Sequence, residues 1–324
     1  MGNKSMNSSR VIIAFSLNLM LALSMEVYAY EDPALFNGFD VNGGSIAAAD
    51  IYYNTEMRDD IPAIDAPHFL EGTARDGVIG LGERVLAIEY NGVAKAYPIK
   101  ILELHQIVND RFNGKPVAVT FCPLCGTGMV FASSIRGKDV IFGVSGLVYN
   151  NNMLLYDGGT GSLWSQIMMT AVTGPMKGEK LTSLLSHHTI WGDWLDSHPD
   201  SLLLSSDTGY RFDYNANIYY EYKRLPVVAF PTVHQNLRID AKSLVVGITL
   251  GEQALALPFD QLDTLDGTLR VSVGKTELDV QWNKTSSTAK VSDLDGNEIP
   301  NVSIYWFAWV AFYPQTELYN PQPQ

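Results

Sequence analysis

VTFCPLCGTGMVF, residues 119–131, carries both cysteines of the chain, Cys122 and Cys125. Its reading decides between two architectures. A helix opening at Cys122 would stabilise a thiolate with the positive end of its dipole, as helix-borne redox pairs require. The residues that follow Cys125 are Gly126, Thr127, Gly128, Met129, Val130 and Phe131. Two glycines among β-formers do not start a helix. The stretch therefore predicts strand, tight Cys-Pro-Leu-Cys-Gly turn, strand, a knuckle in which glycine lets the chain turn and backbone N–H groups face sulfur.

Working outward, RVLAIEYNGVAKAYPIKIL (84–102) matches SLVVGITLGEQALALPFDQL (243–262), with Pro98 opposite Pro258. Both read as strand, turn, strand, and a proline opening the next element. The cysteine stretch itself lies opposite LDVQWNKTSSTAKV (278–291), so that Cys122 faces Asn283 and Cys125 faces Ser286. These matches predict a mainly β chain with short helices (α+β) and two related β-rich lobes from a degenerate internal repeat. The first lobe covers 30–235 and the second 236–324. The thiols are then an addition to the fold rather than a requirement of it.

Between the copies, FGVSGLVYNNNMLLYDGGTGSLWSQ (142–166) alternates apolar residues with turn formers, which predicts short strands and tight loops. Trp191 and Trp194 stand three apart in TIWGDWLDSHPDSLLL, on one face of a short helix that stops at His198-Pro199. A tyrosine-rich segment, YRFDYNANIYYEY (210–222), then leads into the second copy.

Residues 1–29 read as an export signal: Lys4 and Arg10 precede an apolar run, and Val27-Tyr28-Ala29 suits cleavage. An uncleaved anchor competes with this reading, but the run is shorter than the roughly 20 apolar residues of a spanning helix. A periplasmic or secreted protein with no membrane attachment after cleavage is expected. The formal charge of −13 makes nucleic acid and anionic membranes poor partners. With 46% hydrophobic residues the core is ample, so disulfides are not needed to compensate for a small one.

The segments AYPIKILELHQIVND, VTFCPLCGTGMVF, FGVSGLVYNNNMLLYD, TGSLWSQ, WGDWLDSHPD and WFAWVAFYPQTELY together resemble the family catalogued as domain of unknown function 3179, secreted or periplasmic proteins with no settled biochemistry. The resemblance runs from about residue 61 to 319. Two positions depart from the family pattern: Gln106, where an acid usually follows the histidine, and Gly158, where an arginine usually follows the aspartate. The family implies no reaction, so the chemistry rests on the residues.

Three readings of the cysteine pair compete. The first is a metal-thiolate centre, with copper or zinc as the cofactor, serving a redox reaction on a small molecule or peptide. Thiolates with imidazole suit both metals, and a closed site needs further ligands. Of the six histidines, His105 is the first candidate, being just upstream of the thiol strand; His198 is second, and His187 and His188 rank lower. The second reading is a thiol–disulfide oxidoreductase using the same pair. The third is non-enzymatic: a metal carrier, or a ligand-binding module with an inert bridge. Ser145, Asn151, Asp157, Ser162 and Gln166 are expected to line a substrate pocket beside the pair, with Trp164 joining Cys122 and Cys125 in catalysis. No serine-nucleophile elbow, phosphate loop, dinucleotide fingerprint or His-Glu-x-x-His is present.

Overall fold

In the computed structural model, which describes residues 35–265 and 267–320, the cysteine stretch is a β-hairpin. Strand Lys115–Cys122 pairs antiparallel with Thr127–Ala132, from Val117↔Ala132 to Cys122↔Thr127, and residues 123–126 close its tip. The helix that a thioredoxin-like pair would need is absent; its place is strand. Gly126 makes the turn possible, with φ at +65°, and the ring of Tyr305 lies so close that a Cβ there would meet Cε2 at 3.0 Å. Gly126→Ala is therefore expected to cost about 1–3 kcal/mol from the left-handed backbone and the clash together, read as a lowered midpoint in urea unfolding.

The elements upstream aim the hairpin. Strands Arg84–Tyr90 and Val93–Pro98 form a hairpin whose last residue, Pro98, caps helix Ile99–His105. Gln106 ends that helix in the left-handed region, φ 59°, with its N–H on Leu102 O at 2.7 Å. The chain then turns back as Ile107–Phe112, the neighbour of the first cysteine strand. Downstream, Phe142–Tyr149 and Asn152–Asp157 make a second hairpin that we call the asparagine hairpin. Its turn is Asn150-Asn151, both at positive φ (53° and 62°), the geometry of a two-residue turn that asparagine tolerates well.

The protein is mainly β with short helices, as expected: 41% strand against 13% helix, with five short α-helices among the described residues. Its five larger sheets, of three to five strands, are arranged as a propeller-like ring of five blades. The expectation of two lobes is not supported. One core cluster contains Cys122, Cys125, Phe131 and Trp164 together with Val245, Ile304, Trp306 and Trp309. It crosses the expected boundary at 235, and separate lobes would each close their own core.

Local pairings at the two matched stretches do correspond. Val85↔Pro98 through Tyr90↔Val93 is matched by Val245↔Pro258 through Leu250↔Gln253, and Cys122↔Thr127 by Asn283↔Thr288. The helix Trp191–Ser197 and the helix Trp306–Phe312 each place an indole N–H on a hydroxyl, Trp194 on Ser201 at 2.7 Å and Trp309 on Thr316 at 2.9 Å. The first helix ends before His198, as the following proline dictates. The export segment 1–29 lies outside the described residues. No helix among the described residues is long and apolar enough to cross a membrane.

Candidate functional site

The two cysteines are free and buried, Cys122 at 2% exposure and Cys125 at 0%. The turn of the asparagine hairpin folds over them. Asn151 O lies 3.4 Å from Cys122 Sγ and 3.2 Å from Cys125 Sγ. The Asn151 side chain faces the other way and clamps the backbone of Phe230, donating from Nδ2 to O and accepting from N–H, both at 2.7 Å. Asn150 accepts from the Val233 N–H at 2.8 Å. The turn thus pins the segment around residues 230–233 over the hairpin.

Asn152, next in the chain, presents a donor to sulfur. Its Oδ1 accepts from the Ile167 N–H at 3.2 Å, so its amide must point Nδ2 at Gln166 Oε1, 2.8 Å away, and at Cys125 Sγ, 3.7 Å away. Gln166 then donates to Thr120 Oγ1 at 2.8 Å, and Thr120 to Met129 O at 2.7 Å. Thr120, Asn152 and Gln166 are each fully buried. A buried network in which each donor has its acceptor holds one orientation. That orientation keeps an N–H on the sulfur.

The two thiols differ. Burial alone would raise Cys122, but the Cys125 S–H and the backbone N–H groups of Cys125, Met153 and Leu124 outweigh it and bring Cys122 below an ordinary thiol. Burial and the neighbouring Cys122 together push Cys125 well above one. Cys122 also lines a cleft of about 10 Å³, whose walls include Asn54, Gln106, Leu124 and Met153. The forward sulfur is the one whose anion is stabilised.

Tyrosines surround the pair. Tyr222 donates to Leu124 O at 2.9 Å, and the Tyr305 N–H donates to Cys125 O at 2.9 Å. Burial and then the negative charge of the thiols raise Tyr222. Burial, followed by Cys122 and Glu103, raises Tyr219 to about 12, while burial, Glu103 and Cys125 raise Tyr305 to about 12. These phenols stay protonated wherever the thiolate forms. The aromatic segment 210–222 was visible in the sequence, but nothing there tied it to cysteines about ninety residues earlier. Asn152 and Tyr305 likewise gave no separate signal.

His105 does not join the sulfurs. It is fully buried, Nδ1 donating to Pro62 O at 2.7 Å and Nε2 accepting from Tyr214 OH at 2.7 Å, among the rings of Tyr210, Phe212 and Tyr214. Both nitrogens are spent. Burial lowers its pKa, which keeps the ring neutral. Among the described residues no group of three or more His, Cys, Asp or Glu side chains could hold a metal ion. The structure does not bring the expected ligand trio Cys122, Cys125 and His105 together. His198 stacks on Trp194 at 3.7 Å and pairs with Glu89, His187 faces Glu298 at 3.4 Å, and His188 lies against Gly128.

Of the expected pocket, only Asn151 and Gln166 belong to the cysteine site. Ser145 donates to Leu154 O at 2.5 Å across the irregular stretch of the asparagine hairpin. Asp157 accepts from Thr160 N at 2.6 Å, Thr160 Oγ1 at 2.8 Å and Trp164 Nε1 at 3.0 Å, which closes the 157–162 turn. Ser162 accepts from the Met176 N–H at 3.0 Å. Trp164 is fully buried edge-on to Phe142, its only polar atom bound to Asp157. These groups satisfy turns and core, as Asn, Asp and Ser in tight loops commonly do.

No curated protein and no solved structure matches the chain. The family model described as "Protein of unknown function (DUF3179)" matches residues 58–316, a span that takes in the cysteine hairpin, the asparagine hairpin and the tyrosines around them. The chain belongs to the DUF3179 family.

Proposed function

We propose that the protein is an exported dithiol–disulfide redox protein, with Cys122 as the attacking sulfur and Cys125 as its partner. The observation that carries this reading is the asymmetry of the pair. Cys122 lines the cleft and is held towards its thiolate, whereas Cys125 lies behind it as a thiol. Exchange and oxidation chemistry both need that division of labour.

A cleft of about 10 Å³ has room for about one water molecule, so a small reactant suits this conformation best. With a peroxide, the Cys122 thiolate attacks one oxygen, the O–O bond breaks, and the leaving oxyanion takes a proton. Cys122 becomes a sulfenic acid. Cys125 then loses its proton and bonds to the Cys122 sulfur, and water leaves. Two electrons have passed from the thiols to the peroxide. An external dithiol returns the pair by exchange: its thiolate displaces Cys125 from the disulfide, and its second thiol releases Cys122.

A second reading retains the knuckle as a soft-metal site. Copper(I) is suited by two thiolates alone, whereas zinc would need further donors beside the pair. Exposure of the reduced protein to one equivalent of hydrogen peroxide, followed by alkylation of remaining thiols, tests the redox reading. Loss of both thiols together, restored by dithiothreitol, is the expected result. Two thiols still free after oxidant, or oxidation that stops at irreversible acids, would overturn it. Stoichiometric copper(I) uptake that blocks alkylation would favour the second reading.

A further inference from the structure

Arg84, on the first strand of the hairpin Arg84–Tyr90/Val93–Pro98, carries a charge that its surroundings do not balance. Its Nη1 donates to the carbonyl of Ser286, at the tip of the hairpin matched to the cysteine hairpin. The ion pairs among the described residues do not include it; its acidic chain neighbour Glu83 faces Lys100 instead, at 3.8 Å. Burial pulls its pKa below the ordinary guanidinium value, with no carboxylate acting the other way. The side chain is half-buried, so part of the residue still reaches solvent. Arginine also favours flat, two-pronged contacts with carboxylate or phosphate oxygens.

Arg84 lines a cleft of about 630 Å³ together with Lys100, Lys223, Glu83, Glu103 and Asn215. The two carboxylates there are already matched, Glu103 by Lys223 at 2.5 Å and Glu83 by Lys100. One positive charge is left over, in a chain whose formal charge is −13.

We propose that this cleft is an anion-binding site, in which Arg84 takes an oxyanion group of a small molecule, carboxylate or phosphate. Lys100 and Lys223, each paired with a glutamate, line the same cleft. The site is separate from the sulfurs, and its existence does not depend on the redox reading.

The test uses the full chain and three probes at equal ionic strength, namely inorganic phosphate, acetate and chloride. Calorimetric titration is expected to show saturable binding of phosphate or acetate over a chloride background, and the two arms distinguish the phosphate from the carboxylate source. Arg84→Met is expected to weaken that binding by roughly tenfold or more, as loss of a charge-assisted contact should. In chloride alone it should still fold, since Arg84 is half-buried and what it loses is one hydrogen bond, to the Ser286 carbonyl. If Arg84→Met does not fold, Arg84→Lys replaces it and is expected to bind more weakly, a point charge standing in for the planar fork. No binding beyond chloride, or unchanged affinity in the folded Arg84 variant, overturns the proposal.

Discussion

Serine at position 122 is expected to abolish peroxide-driven oxidation of the protein, and serine at 125 to change its outcome rather than its first step. Cys122 lines the cleft and is the thiol that hydrogen bonds bring down; Cys125 lies behind it and is pushed up. In Cys122→Ser the remaining thiol is both shielded and protonated, so alkylation and oxidation should fall by roughly a hundredfold or more at neutral pH, because the thiolate is the nucleophile. In Cys125→Ser, Cys122 should still be oxidised, but its sulfenic acid has no partner and accumulates. It will be trapped by dimedone and seen by mass spectrometry. Alanine at 125, unlike serine, deletes the donor that stabilises the Cys122 anion, so in Cys125→Ala the alkylation rate should climb at higher pH than in the wild type. The sign follows from the direction of the shift. A lowered pKa gives thiolate at lower pH, and losing one of its causes moves the profile back towards about 8.5. Equal reactivity of the two serine variants would sink the assignment of roles.

Trp164→Ala should be the most damaging single substitution in the hairpins around the site, at about 3–5 kcal/mol. The indole is fully buried against Phe142, in the same core cluster as Cys122 and Cys125. Removing it opens a cavity and strips Asp157 Oδ2 of its indole donor. Trp164→Phe keeps most of the volume and loses the N–H, and should cost about 1–3 kcal/mol. Chemical unfolding measures both. Peroxide oxidation of the folded Phe variant should stay at the wild-type rate, since the ring touches no reacting atom. A Phe variant that is stable but redox-dead would restore the catalytic role expected of Trp164.

How far the sequence could be read depended on whether the determinants were local. The knuckle was legible because Gly126 and Gly128 among β-formers exclude a helix within six residues. The two matched hairpins were legible as strand, turn, strand because Pro98 and Pro258 punctuate similar patterns. The joining of the parts was not. The core that unites Cys122 with Trp306 depends on side chains about 180 residues apart, and no periodicity reports such contacts. The pocket expectation failed for a related reason. Asp157 and Ser162 have the composition of a binding wall and the spacing of a self-satisfied turn, and only the hydrogen bonds from Thr160 and Trp164 tell the two apart. His105 misled because proximity in sequence to the thiol strand says nothing of the direction of its ring. Pro62 and Tyr214, which hold both nitrogens, come from distant segments.

Equilibration of the purified full chain in buffers of graded dithiol and disulfide, with the thiol state and metal content read by mass spectrometry, tests the redox assignment most directly. The account predicts a single two-electron transition between the dithiol and a Cys122–Cys125 disulfide, reversible in both directions, with the fold retained by circular dichroism and no metal carried through. Thiols that remain free at every potential, or a protein that leaves its native compartment with one soft metal ion bound to the pair and releases it only on denaturation, would contradict it.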